Sequence, residues 1–261
     1  MTKPYYQFNR EERNHAAILY HLLLSDVANL GAFMDLVKPL QPLQRPLADC
    51  EVYFEFARLR DEWDGMSDDQ RRSFVLPLLP VRIQQEVQTM GILEWNDFFR
   101  ASPRSSSKRY QSPARWVPAR MPSHIVGEDY AGINLVKWCF NIKPDLVIIT
   151  GDKQAICIEA KLESGVSNYP SSNSDMAQWR ERQLTKGVSQ LECQRYLFVK
   201  AMGFNPSSVT YVVLEQRTHQ HEKATSITWR QLFARLDAKA SHPFVRKWLA
   251  GNRHLSVGYT S

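Results

Sequence analysis

Within residues 9–24, the apolar positions Ile18, Leu19, Leu22 and Leu23 recur at helical spacing. Glu11 and Glu12 fall in the first turn, where the exposed N–H groups favour negative charge. The pattern predicts an amphipathic helix. Residues 26–100 read as mainly helical, with 51–63 and 81–90 the stronger segments and Pro39, Pro42, Pro46, Pro77 and Pro80 as breakers. Past residue 120 the pattern changes. The dense apolar run 133–140 predicts a strand, and so does the run 146–150. Gly151-Asp152-Lys153 predicts a turn, and 155–161 a further strand. Residues 164–175 are polar and predict a loop. A helix is expected from residue 176 or 181 to Met202, stopped by Gly203. A strand over 209–214 and a helix over 228–236 follow. This order predicts one α/β domain over residues 1–261. It carries a mainly helical insertion at 26–100 between the first helix and the first core strand.

Charge alters this picture in one place. The chain carries 33 Lys and Arg against 27 Asp and Glu, a formal net charge of +6 over 261 residues. Residues 100–120 hold Arg100, Arg104, Lys108, Arg109, Arg115 and Arg120 and no acid, so this segment accounts for the whole excess. It is rich in Ser and Pro, which predicts a loop, and Tyr110 and Trp116 stand among the cations. Arg104, Lys108, Arg109, Arg115 and Arg120 are therefore candidate nucleic-acid contacts, with the two rings as candidate stacking faces. A solvated linker is the competing reading.

Cys50, Cys139, Cys157 and Cys193 lack the paired spacing of a zinc site, and thiols in apolar runs suit a reducing cytoplasm. No apolar stretch approaches the roughly 20 residues of a membrane span, and the first residues lack a signal-peptide core. His219 and His221 form a His-x-His pair with no third ligand in view, which predicts a solvated strand end or loop. No Gly-flanked Ser nucleophile and no phosphate-cradling Gly-rich loop is present.

The chemistry gathers at residues 143–161. Asp145 follows Pro144 and opens one predicted strand, while Glu159 and Lys161 close the next across a tight turn. Residues two apart on a strand share a face, so Glu159 and Lys161 project together, beside the start of the preceding antiparallel strand. Carboxylates are hard oxygen ligands suited to Mg²⁺, and a lysine beside them can orient water or steady developing charge. Buried carboxylates without a counterion are costly, which favours a joint role over three unrelated surface residues.

Pro144-Asp145 followed by Glu159-Ala160-Lys161 resembles the PD-(D/E)XK, or restriction-endonuclease-like, nuclease superfamily. The resemblance implies a restriction-endonuclease-like mixed sheet flanked by helices, with Asp145 and Glu159 as metal ligands and Lys161 as the catalytic lysine. It also implies Mg²⁺, with Mn²⁺ as a substitute. Members often carry a helical acid ahead of an apolar pattern, and Glu12 precedes Ile18-Leu19-Tyr20-His21-Leu22-Leu23 at matching spacing, with Arg13 where Asn is common. Glu12 is thereby a third metal ligand, and Gln190 a candidate lining residue. The implied activity is phosphodiester hydrolysis of DNA in preference to RNA, in phage defence, restriction or repair. Two other readings stay open. One is a catalytically inactive nuclease fold that binds nucleic acid or acts as a scaffold; the other is a ribonuclease or structure-specific resolvase. A homodimer or a partner protein is compatible with either.

Overall fold

The computed structural model describes residues 12–100, 108–162, 165–237 and 241–251. The helices are α1 (Glu12–Ser25), α2 (Val27–Val37), α3 (Arg58–Gly65), α4 (Asp68–Val75), α5 (Val81–Val87), α6 (Ile92–Phe98), α7 (Gly127–Asn141), α8 (Asn173–Glu181), α9 (Gln190–Arg195), α10 (Trp229–Phe233) and α11 (Pro243–Gly251). The strands are β1 (Glu51–Phe54), β2 (Leu146–Gly151), β3 (Gln154–Ala160), β4 (Asn168–Tyr169), β5 (Val188–Ser189), β6 (Val209–Glu215) and β7 (Thr225–Thr228). These form two compact units. The first comprises Met1–Phe56, Pro144–Gly165 and Gly203–Ser261, and the second Ala57–Lys143 and Val166–Met202.

The first unit is built on a mixed five-stranded sheet in the order β1-β2-β3-β6-β7. The β1–β2 and β2–β3 pairs are antiparallel, and β3–β6 and β6–β7 are parallel. Every residue of β2, β3 and β6 is buried, as expected for central strands covered on both faces. The alternate positions Ile148, Ile156, Ile158, Ala160, Val212 and Leu214 share a core with Ala16, Leu19, Leu22 and Leu23 of α1 and with Leu30, Phe33 and Val37 of α2. The apolar stripe of α1 is thus the one the sequence predicts.

Asp26 caps α2 by accepting the Ala28 N–H, and the buried Asn29 amide donates to the carbonyls of Leu22 and Asp237. At the β2–β3 turn Lys153 takes a positive φ of 53°. Gly151 in the same turn is required by close packing, since a Cβ there would meet the Gln44 side chain at 2.2 Å.

The second unit is mainly helical. Trp63, Phe74 and Phe140 pack edge-to-face, and Arg182 gathers the carbonyls of Met121, Pro122 and Ile125. Tyr169 and Val188 pair in the short β4–β5 ladder.

Three sequence expectations are corrected. Residues 133–140 form the second half of helix α7, not a strand. Ile133, Val136, Cys139 and Phe140 are its buried positions, and that spacing of three and four is helical. Residues 51–54 form edge strand β1 rather than helix, because they pair with β2 through Glu51↔Ile149 and Phe54↔Leu146. The block expected to be a continuous helical insertion at 26–100 therefore contains a strand and contributes to both units. The single helix expected up to Met202 is broken between α8 and α9. Gly187 lies so close to the Tyr169 carbonyl that a Cβ would sit 2.6 Å from it, and Ser189 restarts the helix through a capping box with Glu192.

Leu19 is fully buried between α1 and the sheet. Leu19→Ala should lower unfolding free energy by about 2–5 kcal/mol, measured by urea denaturation followed by circular dichroism.

Candidate active site at the end of the central strands

The hairpin register sets Leu146 opposite Ile158, so Asp145, just before β2, lies beside the end of β3. Asp145 Oδ2 accepts the Ala160 N–H at 2.8 Å. Its own carbonyl accepts the Glu55 N–H at 2.9 Å, which ties the end of β1 to the same corner. Lys161 is held at both backbone groups: its N–H donates to the Leu214 carbonyl at 2.7 Å, and its carbonyl accepts the indole N–H of Trp229 at 2.8 Å. The side chain is thus aimed by a parallel strand on one side and by α10 on the other.

Glu159 and Lys161 are 2 % and 7 % exposed. Lys161 Nζ lies 2.7 Å from Glu159 Oε1 and 3.6 Å from Glu12 Oε2. The other oxygen of Glu12 accepts the Leu162 N–H at 3.1 Å. Glu12, from the first turn of α1, therefore reaches the same point as the strand residues. Asp145, Glu159, Lys161 and Glu12, four residues from three separate stretches of sequence, are brought together.

Burial pushes the Asp145 carboxyl above its ordinary value; the Ala160 N–H and the Lys161 charge oppose the shift, and Glu12 and Glu55 reinforce it. Burial alone would lower the Lys161 ammonium, but Glu159, Glu12 and Asp145 outweigh it and raise it. Lys161 is consequently a cation at neutral pH.

Glu55 was not among the residues singled out from the sequence. It stands one residue past β1 with a positive φ of 49° and pairs with Arg13 at 2.6 Å. No local pattern announces it, because only the β1–β2 pairing carries it to Asp145. Glu12, Glu55, Asp145 and Glu159 thus gather at one corner with Arg13 and Lys161. Carboxylate oxygens are the hard donors that a divalent cation such as Mg²⁺ takes, but among the described residues Glu12, Asp145 and Glu159 do not form a group whose ligand atoms all lie within 4.8 Å of one another.

Gln190 belongs to the second unit, where it opens α9 and its N–H donates to the Ser167 carbonyl. Lys108, Arg109, Arg115 and Arg120 are exposed on the second unit, and Arg104 lies outside the described residues. Tyr110 and Trp116 do not offer open stacking faces, which corrects that expectation. Trp116 stacks on Phe99 with ring centres 3.9 Å apart, and Tyr110 packs edge-on against Trp95. Both rings are core residues whose burial holds the cationic segment to the helices.

The His-x-His pair gains a partner invisible in the local pattern. Glu215 at the end of β6 approaches both His219 and His221. The available signal was a glutamate four residues before His219, at the end of a predicted strand.

Comparison with protein-family models, with curated proteins and with solved structures found no match to this chain. Among the described residues no single helix is long and apolar enough to cross a membrane.

A carboxyl raised above its ordinary value of 3.8 favours the folded state below that value and loses this contribution as pH rises through the folded one. Without divalent ions, Asp145→Asn should therefore raise the thermal midpoint at pH 7.5 by a few degrees, and the gain should vanish towards pH 4. Differential scanning fluorimetry across pH tests this. A midpoint lower than wild type at pH 7.5 would refute it.

Proposed function

We propose that the first unit is the catalytic core of a metal-dependent nuclease of the PD-(D/E)XK type, hydrolysing phosphodiester bonds of DNA. The observation that carries this reading is the convergence of Asp145, Glu159 and Glu12 on Lys161 at one corner of the sheet. An ion pair serving stability alone would not require the additional acids, each of which raises the cost of its neighbours.

Asp145, Glu159 and Glu12 would hold the divalent ion. Once bound, Mg²⁺ would supply Lewis-acid polarisation of a phosphate oxygen and a more acidic water. Lys161 contributes a fixed positive charge, aimed by its two backbone hydrogen bonds, where an attacking water is oriented and negative charge develops on phosphorus oxygens. Its raised pKa suits this electrostatic role better than proton abstraction. The exposed cations Lys108, Arg109, Arg115 and Arg120 would bind phosphates without reading sequence.

Lys161→Ala and Asp145→Ala should each reduce Mg²⁺-dependent cleavage of DNA by at least about 10²-fold, with binding to the same DNA retained. Glu12→Gln should give a smaller loss. The assay compares single-stranded, double-stranded and branched DNA with RNA, in Mg²⁺ and in EDTA. Cleavage that is absent from every substrate, or equal in wild type and Lys161→Ala, would overturn the proposal.

A further inference from the structure

The geometry points to a second, independent metal site: we propose that Glu215, His219 and His221 bind one transition-metal dication of the zinc class and thereby clasp the β6–β7 connection. Strand β7 runs parallel to β6, with Thr225 level with Val212, so the chain leaving Glu215 must turn back within residues 216–224. Parallel strands are ordinarily joined by a dozen or more residues, commonly with a helix. This shorter return has no helix among its residues, and the Glu215 side chain is what its polar groups converge on.

Glu215 is 5 % exposed. His219 Nδ1 lies 2.8 Å from its Oε2 and His221 Nε2 lies 3.1 Å from its Oε1. One ligand atom from each residue falls within 4.8 Å of the others. Ligands at about 2.0–2.1 Å in a tetrahedron are about 3.3 Å apart, so the two histidine–carboxylate separations already suit an ion, and the widest separation, within 4.8 Å, would close around it on binding. Two imidazole nitrogens and a carboxylate oxygen suit zinc rather than magnesium.

The carboxylate is already oriented, since Oε1 accepts both the His219 backbone N–H at 3.0 Å and the Ser226 hydroxyl from β7. Outer partners of this kind fix a ligand for its metal. The imidazole of His219 is 65 % exposed, which gives an ion access from solvent and leaves a fourth position for water. The groups acting on Glu215 are Ser226, His219 and His221, whereas those acting on Asp145 are Ala160, Lys161, Glu12 and Glu55. The two clusters are electrostatically distinct.

Zn²⁺ titrated into the untagged, chelator-treated full chain should bind at one equivalent and raise the thermal midpoint. Co²⁺ in its place should give the visible absorption of a four-coordinate ion. His219→Ala, His221→Ala and Glu215→Gln should each weaken binding at least about tenfold. With Mg²⁺ in excess throughout, His124→Ala, at an exposed histidine of the second unit, should leave it unchanged. His219 is exposed, so its variant separates metal binding from folding, and circular dichroism checks the other two. No zinc bound at one equivalent would overturn the proposal. So would affinity unchanged in the folded His219→Ala and His221→Ala variants, or affinity lost equally in His124→Ala.

Discussion

A lysine and a glutamate two residues apart at the end of a central strand are tolerated at 7 % and 2 % exposure only because each meets the charge of the other. That 2.7 Å contact constrains everything around it. An ammonium buried without a partner would lose its proton or pull the strand end into water, and a lone carboxylate would do the converse. With the pair formed, β3 can continue its buried run to Ala160 and still present charge at its tip. The neighbouring elements meet that tip in turn: β6 accepts the Lys161 N–H, α10 donates to its carbonyl, and α1 brings Glu12.

The same corner is dense in carboxylates. Asp145 is raised by burial, and Glu12 and Glu55 add to the shift while a single ammonium and one backbone N–H oppose it. Glu159 and Lys161 remain buried within it, and this supports the proposal that the site takes a divalent cation. The His–Glu cluster beyond β6 follows a different logic. There the carboxylate is lowered, because the hydrogen bonds from Ser226, His219 and His221 outweigh the opposing effect of burial, and the ligands are nitrogen-rich. One sheet thus carries two polar clusters of different chemical preference.

The cationic segment shows how composition and structure divide the work. Among its described residues the lysine and arginine side chains are exposed, as their charge requires, while Tyr110 and Trp116 are buried. The Asn96 amide accepts the Gln111 N–H and donates to the Arg109 carbonyl, and Asp68 accepts the Tyr110 N–H, so this backbone is pinned on both sides of the buried Tyr110 ring. The rings anchor the charges rather than reading bases.

The sequence alone determined the elements whose partners lie close along the chain. The α1 stripe, the Leu146–Gly151 and Gln154–Ala160 hairpin with its turn, and the same-face placement of Glu159 and Lys161 all follow from short-range periodicity. Local density misled where period mattered, as in α7, and where a strand owed its state to a distant partner, as in β1. Only the tertiary structure decided that Glu55 stands beside Asp145, that Glu12 reaches Lys161, and that Glu215 gathers the two histidines. Glu12 and Lys161 meet by packing of a helix on a sheet, and Glu55 arrives through strand pairing across ninety intervening residues. Glu215 meets His219 and His221 through the tight return between two parallel strands. The first two are long-range contacts whose energy is absent from any local window of sequence, whereas the third lies within seven residues and depends on how the return closes.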